Sequence, residues 1–311
     1  MFKKIAIKTG VLTAVFILAV IVSSYVTNRG NTDMSADMGG ATLPRISFMT
    51  EGYEVNSLPG YKSDMTLTSM RDTLTPVTNN QLDMNIAKYD NQIQKVYWQV
   101  YTLNGKKCIQ EGTIKDVQDT VTLNFRNTKI LKEERILKVT LYLDNQNIYF
   151  YTRIKNSADC NYKASLDFAN NFHSAALEGQ GDKIESYLET DTDSDADSST
   201  YQEVTLASTQ AQVLWGSLAP QVSGNVYWEI KECNENYTSL VLKYQVKCAG
   251  DTDYADRLYS VKEFFRIRTG EDAQQYLLDY DRTMNQRFDG KTTALNQKGV
   301  LVGIAPTELE Y

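Results

Sequence analysis

IQKVYWQVYTL, residues 93–103, is the stretch on which the fold turns. It is β-branched and aromatic nearly throughout, and such side chains suit a pleated surface better than a helix. Asn104-Gly105 follows it, the strongest short-range hairpin signal, and 108–115 reads as the return strand. The pattern spreads outward in both directions. Leu82, Met84 and Ile86 alternate with Asp83, Asn85 and Ala87, and Val121, Leu123 and Phe125 alternate again. Residues 136–143 and 148–154 flank DNQN (144–147), a second hairpin turn, while 45–49 and 53–56 are short strands ahead of a Pro59-Gly60 turn.

At least six strands between 81 and 155, with no helix among them, predict a mainly β fold: an antiparallel β-sandwich domain over 43–156. Its architecture resembles immunoglobulin-like or fibronectin-like modules. The Cys…Trp…Cys spacing of true immunoglobulin domains is absent, so the resemblance implies architecture and no function.

The period changes at Asp159. Leu166, Phe168, Ala169, Phe172, Ala175, Ala176 and Leu177 recur at helical spacing over 164–178, and Gly179 and Gly181 end that helix. Asp182 is placed to cap a short second helix carrying Ile184, Tyr187 and Leu188. After an acidic, serine-rich loop at 190–200, strand patterns resume at 204–206, 211–215, 226–231, 239–247, 258–268 and 275–281. This predicts an α+β domain over 157–311, a helix packed on an antiparallel β-meander. VLVGI (300–304) reads as one more strand, and its closeness to the last residue suggests a domain incomplete at the C-terminus.

Residues 1–9 form a basic tail with Lys3, Lys4 and Lys8 and no acid. Residues 10–26 (GVLTAVFILAVIVSSYV) are apolar, and seventeen residues at ~1.5 Å each span about 25 Å, at the short end for a membrane helix. Lysines before the run predict a cytoplasmic N-terminus and an extracytoplasmic bulk, a single-pass signal anchor in the cell membrane. Val22-Ser23-Ser24 departs from the Ala-x-Ala pattern of a cleavage site, which favours retention over removal as a signal peptide. Residues 27–42 are polar and aperiodic, a flexible spacer.

The chain of 311 residues has 39 acidic against 32 basic residues, a formal charge of -7. That balance argues against nucleic-acid partners, which require cationic surface. No Gly-rich phosphate loop or dinucleotide fingerprint supports a nucleotide. His173 is the single histidine, which excludes sites needing two imidazoles.

Few motifs carry chemistry. Asp191, Asp193, Asp195 and Asp197 alternate and form a weak calcium candidate, but Ala196 and Gln202 occupy positions where a calcium loop wants Gly and Glu. Of Cys108, Cys160, Cys233 and Cys248, the last two lie on consecutive strands and make the disulfide to test, with four isolated, half-buried thiols as the equal alternative. His173 lacks a nucleophile motif and reads as a partly buried helical residue. Glu232/Glu235, Glu271/Asp272 and Asp279/Asp281 are carboxylate pairs of the kind a glycosidase uses, with Arg266 and Arg268 as cross-strand partners of the last pair. Trp98, Trp215 and Trp228 read as core first and glycan platforms second. Asn236-Tyr237-Thr238 is a glycosylation sequon on a turn, with no function assigned to it.

These readings predict a membrane-anchored protein with a non-enzymatic binding, scaffold or sensor-accessory role in the envelope, other envelope proteins as partners, and no catalytic residue or cofactor. The rivals are an envelope glycan-binding protein or glycan hydrolase using carboxylates of the second domain, and a calcium-stabilised adhesion module.

Overall fold

The computed structural model describes residues 2–29, 43–126, 131–159, 161–189, 201–250, 257–287, 295–296 and 299–300. The spacer and the Asp191–Asp197 motif fall almost wholly or wholly outside them. The chain divides into two compact units, residues 41–287 and a second made of 1–40 and 288–311.

The second unit contains α1 (Phe2–Asn28), which begins ahead of the apolar run, so the lysines of the basic tail ride on the helix itself. Twenty-seven residues at ~1.5 Å give about 40 Å. Its segment Lys3–Thr27 is long and apolar enough to cross a membrane, and no part of its apolar window is buried. Leu295–Asn296 pairs with Gly299–Val300 in the same unit; the expected strand at 300–304 otherwise lies outside the described residues.

The unit 41–287 is mainly β. Its strands run β1 (Arg45–Thr50), β2 (Tyr53–Pro59), β3 (Leu74–Val77), β4 (Gln81–Ala87), β5 (Ile93–Thr102), β6 (Cys108–Ile114), β7 (Thr120–Asn124), β8 (Arg135–Leu143) and β9 (Asn147–Asn156). Then follow α2 (Tyr162–Leu177), β10 (Glu203–Thr205), α3 (Gln210–Val213), β11 (Pro220–Val222), β12 (Tyr227–Cys233), β13 (Thr238–Cys248), β14 (Leu258–Thr269) and β15 (Gln275–Gln286). A ten-stranded sheet has the order β10-β15-β14-β13-β12-β2-β1-β4-β7, with β11 also on β13; a five-stranded sheet has the order β3-β9-β8-β5-β6.

Alternation sets which residues meet. Ile46, Phe48, Met84 and Leu123 of one sheet share a core with Val96, Trp98, Val139 and Phe150 of the other. Trp98 lies against Phe125 edge-on, with ring centroids 5.3 Å apart. Gly112 stands directly opposite Trp98, and a Cβ there would sit 2.5 Å from the indole, so the ring needs glycine beneath it. Among the described residues two pairings are parallel rather than antiparallel, β3 with β9 and β12 with β2. β3 carries Pro76, which hid it in the sequence; it is an edge strand, where a missing N–H is tolerated.

The change of period near 157 is a change of topology inside one body. Trp228 of β12 pairs with Val55 of β2 and joins the meander to the first strands. Asn56 brackets that junction. It is fully buried with φ 53, its Nδ2 donates to Leu74 O and Thr75 Oγ1 at 2.9 and 2.8 Å, and its Oδ1 accepts from Ile230 N at 2.9 Å. Tyr53 OH donates to Asp167 at 2.7 Å, with the phenol pushed up to about 12 by burial and by that carboxylate.

α2 turns Leu166, Ala169, Phe172, His173 and Ala176 toward the meander, the i, i+3, i+4, i+7 stripe its periodicity demands. It ends in a Schellman motif: Gly179 takes φ 69 and Gln180 N donates to Ala175 O at 2.9 Å. The expected second helix is only two 3-10 turns, 181–183 and 185–187, and Asp182 caps neither. The strand expected at 211–215 is instead α3. Thr209 and Gln212 form a reciprocal capping box that closes the turn before any strand can extend.

Candidate functional site

On β14 and β15 the inward-facing residues are apolar except at two positions. Val261, Phe265 and Ile267 are in phase with Glu263, and Tyr280 and Met284 with Arg282. Glu263 and Arg282 stand opposite each other in register, and both are 0% exposed. Burial of an ionised group is costly without partners, so each must be served.

Arg282 is served by α3. Its Nη1 donates to Val213 O at 2.8 Å and its Nη2 to Gln212 O at 2.6 Å. Gln212 O also accepts from Trp215 N at 3.1 Å, so the guanidinium adds its two bonds to the C-terminal turn of α3, an end that favours a cation. Trp215 holds a left-handed backbone (φ 67) that a bulky residue adopts only at some cost, and its ring lies 3.9 Å from the guanidinium carbon.

Glu263 is served by α2 and β13. His173, 6% exposed, brings Nδ1 to 3.0 Å from Glu263 Oε1, and the Tyr244 hydroxyl donates to the same oxygen. With the carboxylate ionised, Nδ1 carries the proton. Burial alone would raise the Glu263 carboxyl, but His173, Arg282 and the Tyr244 hydroxyl outweigh it and hold the group below its usual value. Burial and Glu263 push Tyr244 and Tyr280 upward, so both phenols stay protonated. Phe172, Phe265 and Tyr280 close the cluster, with centroids 5.0 to 5.9 Å apart.

The set contains an acid, an imidazole and two phenols, yet each is buried and each polar link fastens an element. Arg282 ties α3 to the meander, and Glu263 ties α2 to it. The carboxylate pairs singled out in the sequence do not join this cluster. Asp279 faces Arg266 across β14 and β15, as expected, but a bulge after Arg266 places Arg268 opposite Tyr276 and leaves Asp281 opposite Phe264. Burial, with Glu203 and Asp279 nearby, raises the Asp281 carboxyl. Trp98, Trp215 and Trp228 are all buried core residues. Among the described residues no group of three acidic, histidine or cysteine side chains is placed to hold a metal. Asn236 lies in the exposed β12–β13 turn.

The expected Cys233–Cys248 disulfide is not formed. Cys233 is disulfide-bonded, but Cys248 remains a buried thiol and Cys108 an exposed one. Register is the reason: Cys233 pairs with Thr238 at the turn, and Cys248 lies ten residues further along β13, about 33 Å at ~3.3 Å per residue. A bridge needs Cα atoms within about 7 Å.

Glu263, Arg282, Tyr244 and Tyr280 were not read from the sequence as a group. The signal was present, since a charge in phase with buried residues of a strand is itself a marker. Protein-family profiles, curated proteins and solved structures contain no match to this chain.

Proposed function

We propose that this protein is a membrane-anchored, extracytoplasmic binding or scaffold protein of the cell envelope, acting through contacts rather than catalysis. The observation that carries this reading is the sealed state of the His173–Glu263–Arg282 cluster, whose three members are 6%, 0% and 0% exposed. A general acid or base must come within hydrogen-bonding reach of its substrate, and these groups face only the fold they hold together. The junction at Asn56 and the Trp228–Val55 pairing support a body that keeps its two halves in fixed relation, a useful property for presenting a surface.

In this reading the first half is a fibronectin-like or immunoglobulin-like sandwich, with β1, β4 and β7 opposing β3, β9, β8, β5 and β6. The second half is an α+β layout of α2 on the β12–β15 meander. α1 is the anchor, with Lys3, Lys4 and Lys8 on the cytoplasmic side by the positive-inside bias. Other envelope proteins are the partners. Protease treatment of sealed native membranes tests the placement. The expected result is an intact N-terminus with residues 41–287 digested from outside; digestion from the cytoplasmic side alone would overturn it.

A further inference from the structure

The solvent side of the same meander carries a second constellation. β11 and β12 both pair with β13, β11 at 246–248 and β12 at 238–243. Between them the chain leaves the sheet: Ser223 N still donates to Gln245 O at 2.8 Å, Gly224 turns with φ 81, and after Asn225 and Val226 the chain rejoins the sheet at Tyr227, opposite Lys243. Beside it lies a cleft of about 350 Å³, and a second of about 380 Å³ shares Asn225 and Tyr227 with it. The floor of the first is a grid of outward residues in register. Lys243, Lys262 and Thr283 make one row; Gln245, Ser260 and Asn285 make the next.

We propose that this cleft binds a neutral oligosaccharide strand, with Tyr227 as stacking platform and the two rows as readers of hydroxyl groups. Tyr227 is 37% exposed, Arg45 covers one face of its ring at 5.7 Å, and Asn225 Nδ2 donates to its hydroxyl at 3.3 Å, so the ring is braced rather than loose. The side chains of Gln245, Ser260, Thr283 and Asn285 make no hydrogen bond to another described residue, and all offer donors and acceptors together. Sugars present hydroxyls at regular spacing around an apolar C–H face, and this grid repeats at about 4.8 Å across strands and about 6.8 Å along them.

One of the two lysines of the cleft floor is ion-paired. Lys243 Nζ is held by Glu229 at 2.6 Å, and Lys262 acts on Asp281. The proposal rests on the extracytoplasmic placement only for access to envelope glycan; the chemistry of the cleft is independent of it.

Titration calorimetry of the full chain in phospholipid nanodiscs tests it, sugar-headed detergents being avoided as competitors. The probes are the N-acetylglucosamine tetramer and cellotetraose. At least one is expected to bind saturably, with affinity falling about tenfold or more in Tyr227→Ala and staying within about threefold in Tyr227→Phe. Ser260→Arg fills the exposed floor without touching the core and is expected to abolish the signal, which decides the matter even if Tyr227→Ala loses the fold. Absence of binding by the native chain at millimolar saccharide, or binding unchanged in both Tyr227→Ala and Ser260→Arg, overturns the proposal. Membrane protease protection reads the topology separately, so either idea can fail without the other.

Discussion

The β13–β15 meander has two faces built from alternate residues of the same strands, and they have opposite fates. Inward, Tyr244, Glu263, Tyr280 and Arg282 are sealed beneath α2 and α3 and bonded to them. Outward, Gln245, Lys262, Asp281 and Thr283, each one residue along, meet solvent or one another. A one-residue step thus separates polar groups that hold the fold from polar groups free to meet a ligand. Chemical type alone does not distinguish them, since both faces carry acids and cations.

The comparison would break if the inward charges proved dispensable. Arg282→Met removes a buried cation, its two bonds to α3 and the partner of Trp215, and should cost about 3–5 kcal/mol, because Glu263 is left less compensated in the interior. Urea unfolding of the full chain in nanodiscs measures this, and a loss below about 1 kcal/mol would show that the interior cluster does not fasten the helices.

Asn56 sharpens the same contrast at the junction. Asn56→Ala deletes three hydrogen bonds and places a Cβ residue without amide compensation at φ 53, with an expected cost of about 2–3 kcal/mol. Asn56→Gly keeps the backbone conformation and should cost less. Equal losses in the two variants would mean that the left-handed backbone contributes nothing.

Acid gives a test with opposite signs on the two faces. Glu263 is lowered in the fold, so its contribution is present above the unfolded value of about 4.3 and is lost as pH falls through the folded one. Asp64, held down by Lys138 and Tyr151, behaves alike. Asp281 on the outer face is raised, so its ionisation opposes folding as pH climbs above the unfolded value of about 3.9. Glu263→Gln should flatten the acid limb of a stability profile, whereas Asp281→Asn should steepen it and raise stability slightly at neutral pH. The same sign for both would contradict the assignment of faces.

The smallest effect is expected outside. Lys262→Ala removes an exposed cation from the cleft floor and should change stability by no more than about 0.5 kcal/mol. Cys248→Ser should leave the Cys233 disulfide in place, checked by mass analysis without reductant; loss of the bridge would restore the Cys233–Cys248 pairing that the register rejects.

Much of the fold was legible because alternation is local. β4, β5, β7, β8, β9, β13 and β14 each announce themselves by residues two apart, and α2 by residues three and four apart. β3 was illegible because Pro76 is a strand breaker everywhere except at an edge, and edge position is a property of the assembled sheet. α3 was misread through Val213 and Trp215, although Thr209 and Gln212 had the spacing of a capping box. The site was less legible. His173 stood out only by being unique, and its partner Glu263 lies ninety residues away.

The sequence by itself determined the apolar helix at the N-terminus, the mainly β body, the helix after residue 160 and the absence of any two-histidine site, since these depend on composition and short-range period. Tertiary structure decided which cysteines keep their thiols, that β12 pairs with β2, that Arg282 binds the end of a helix seventy residues upstream, and that Tyr227 stands in one row with Lys243, Lys262 and Thr283. Each of those depends on register between segments distant in the chain. Register is set by how whole faces pack, a quantity that no local window of residues contains.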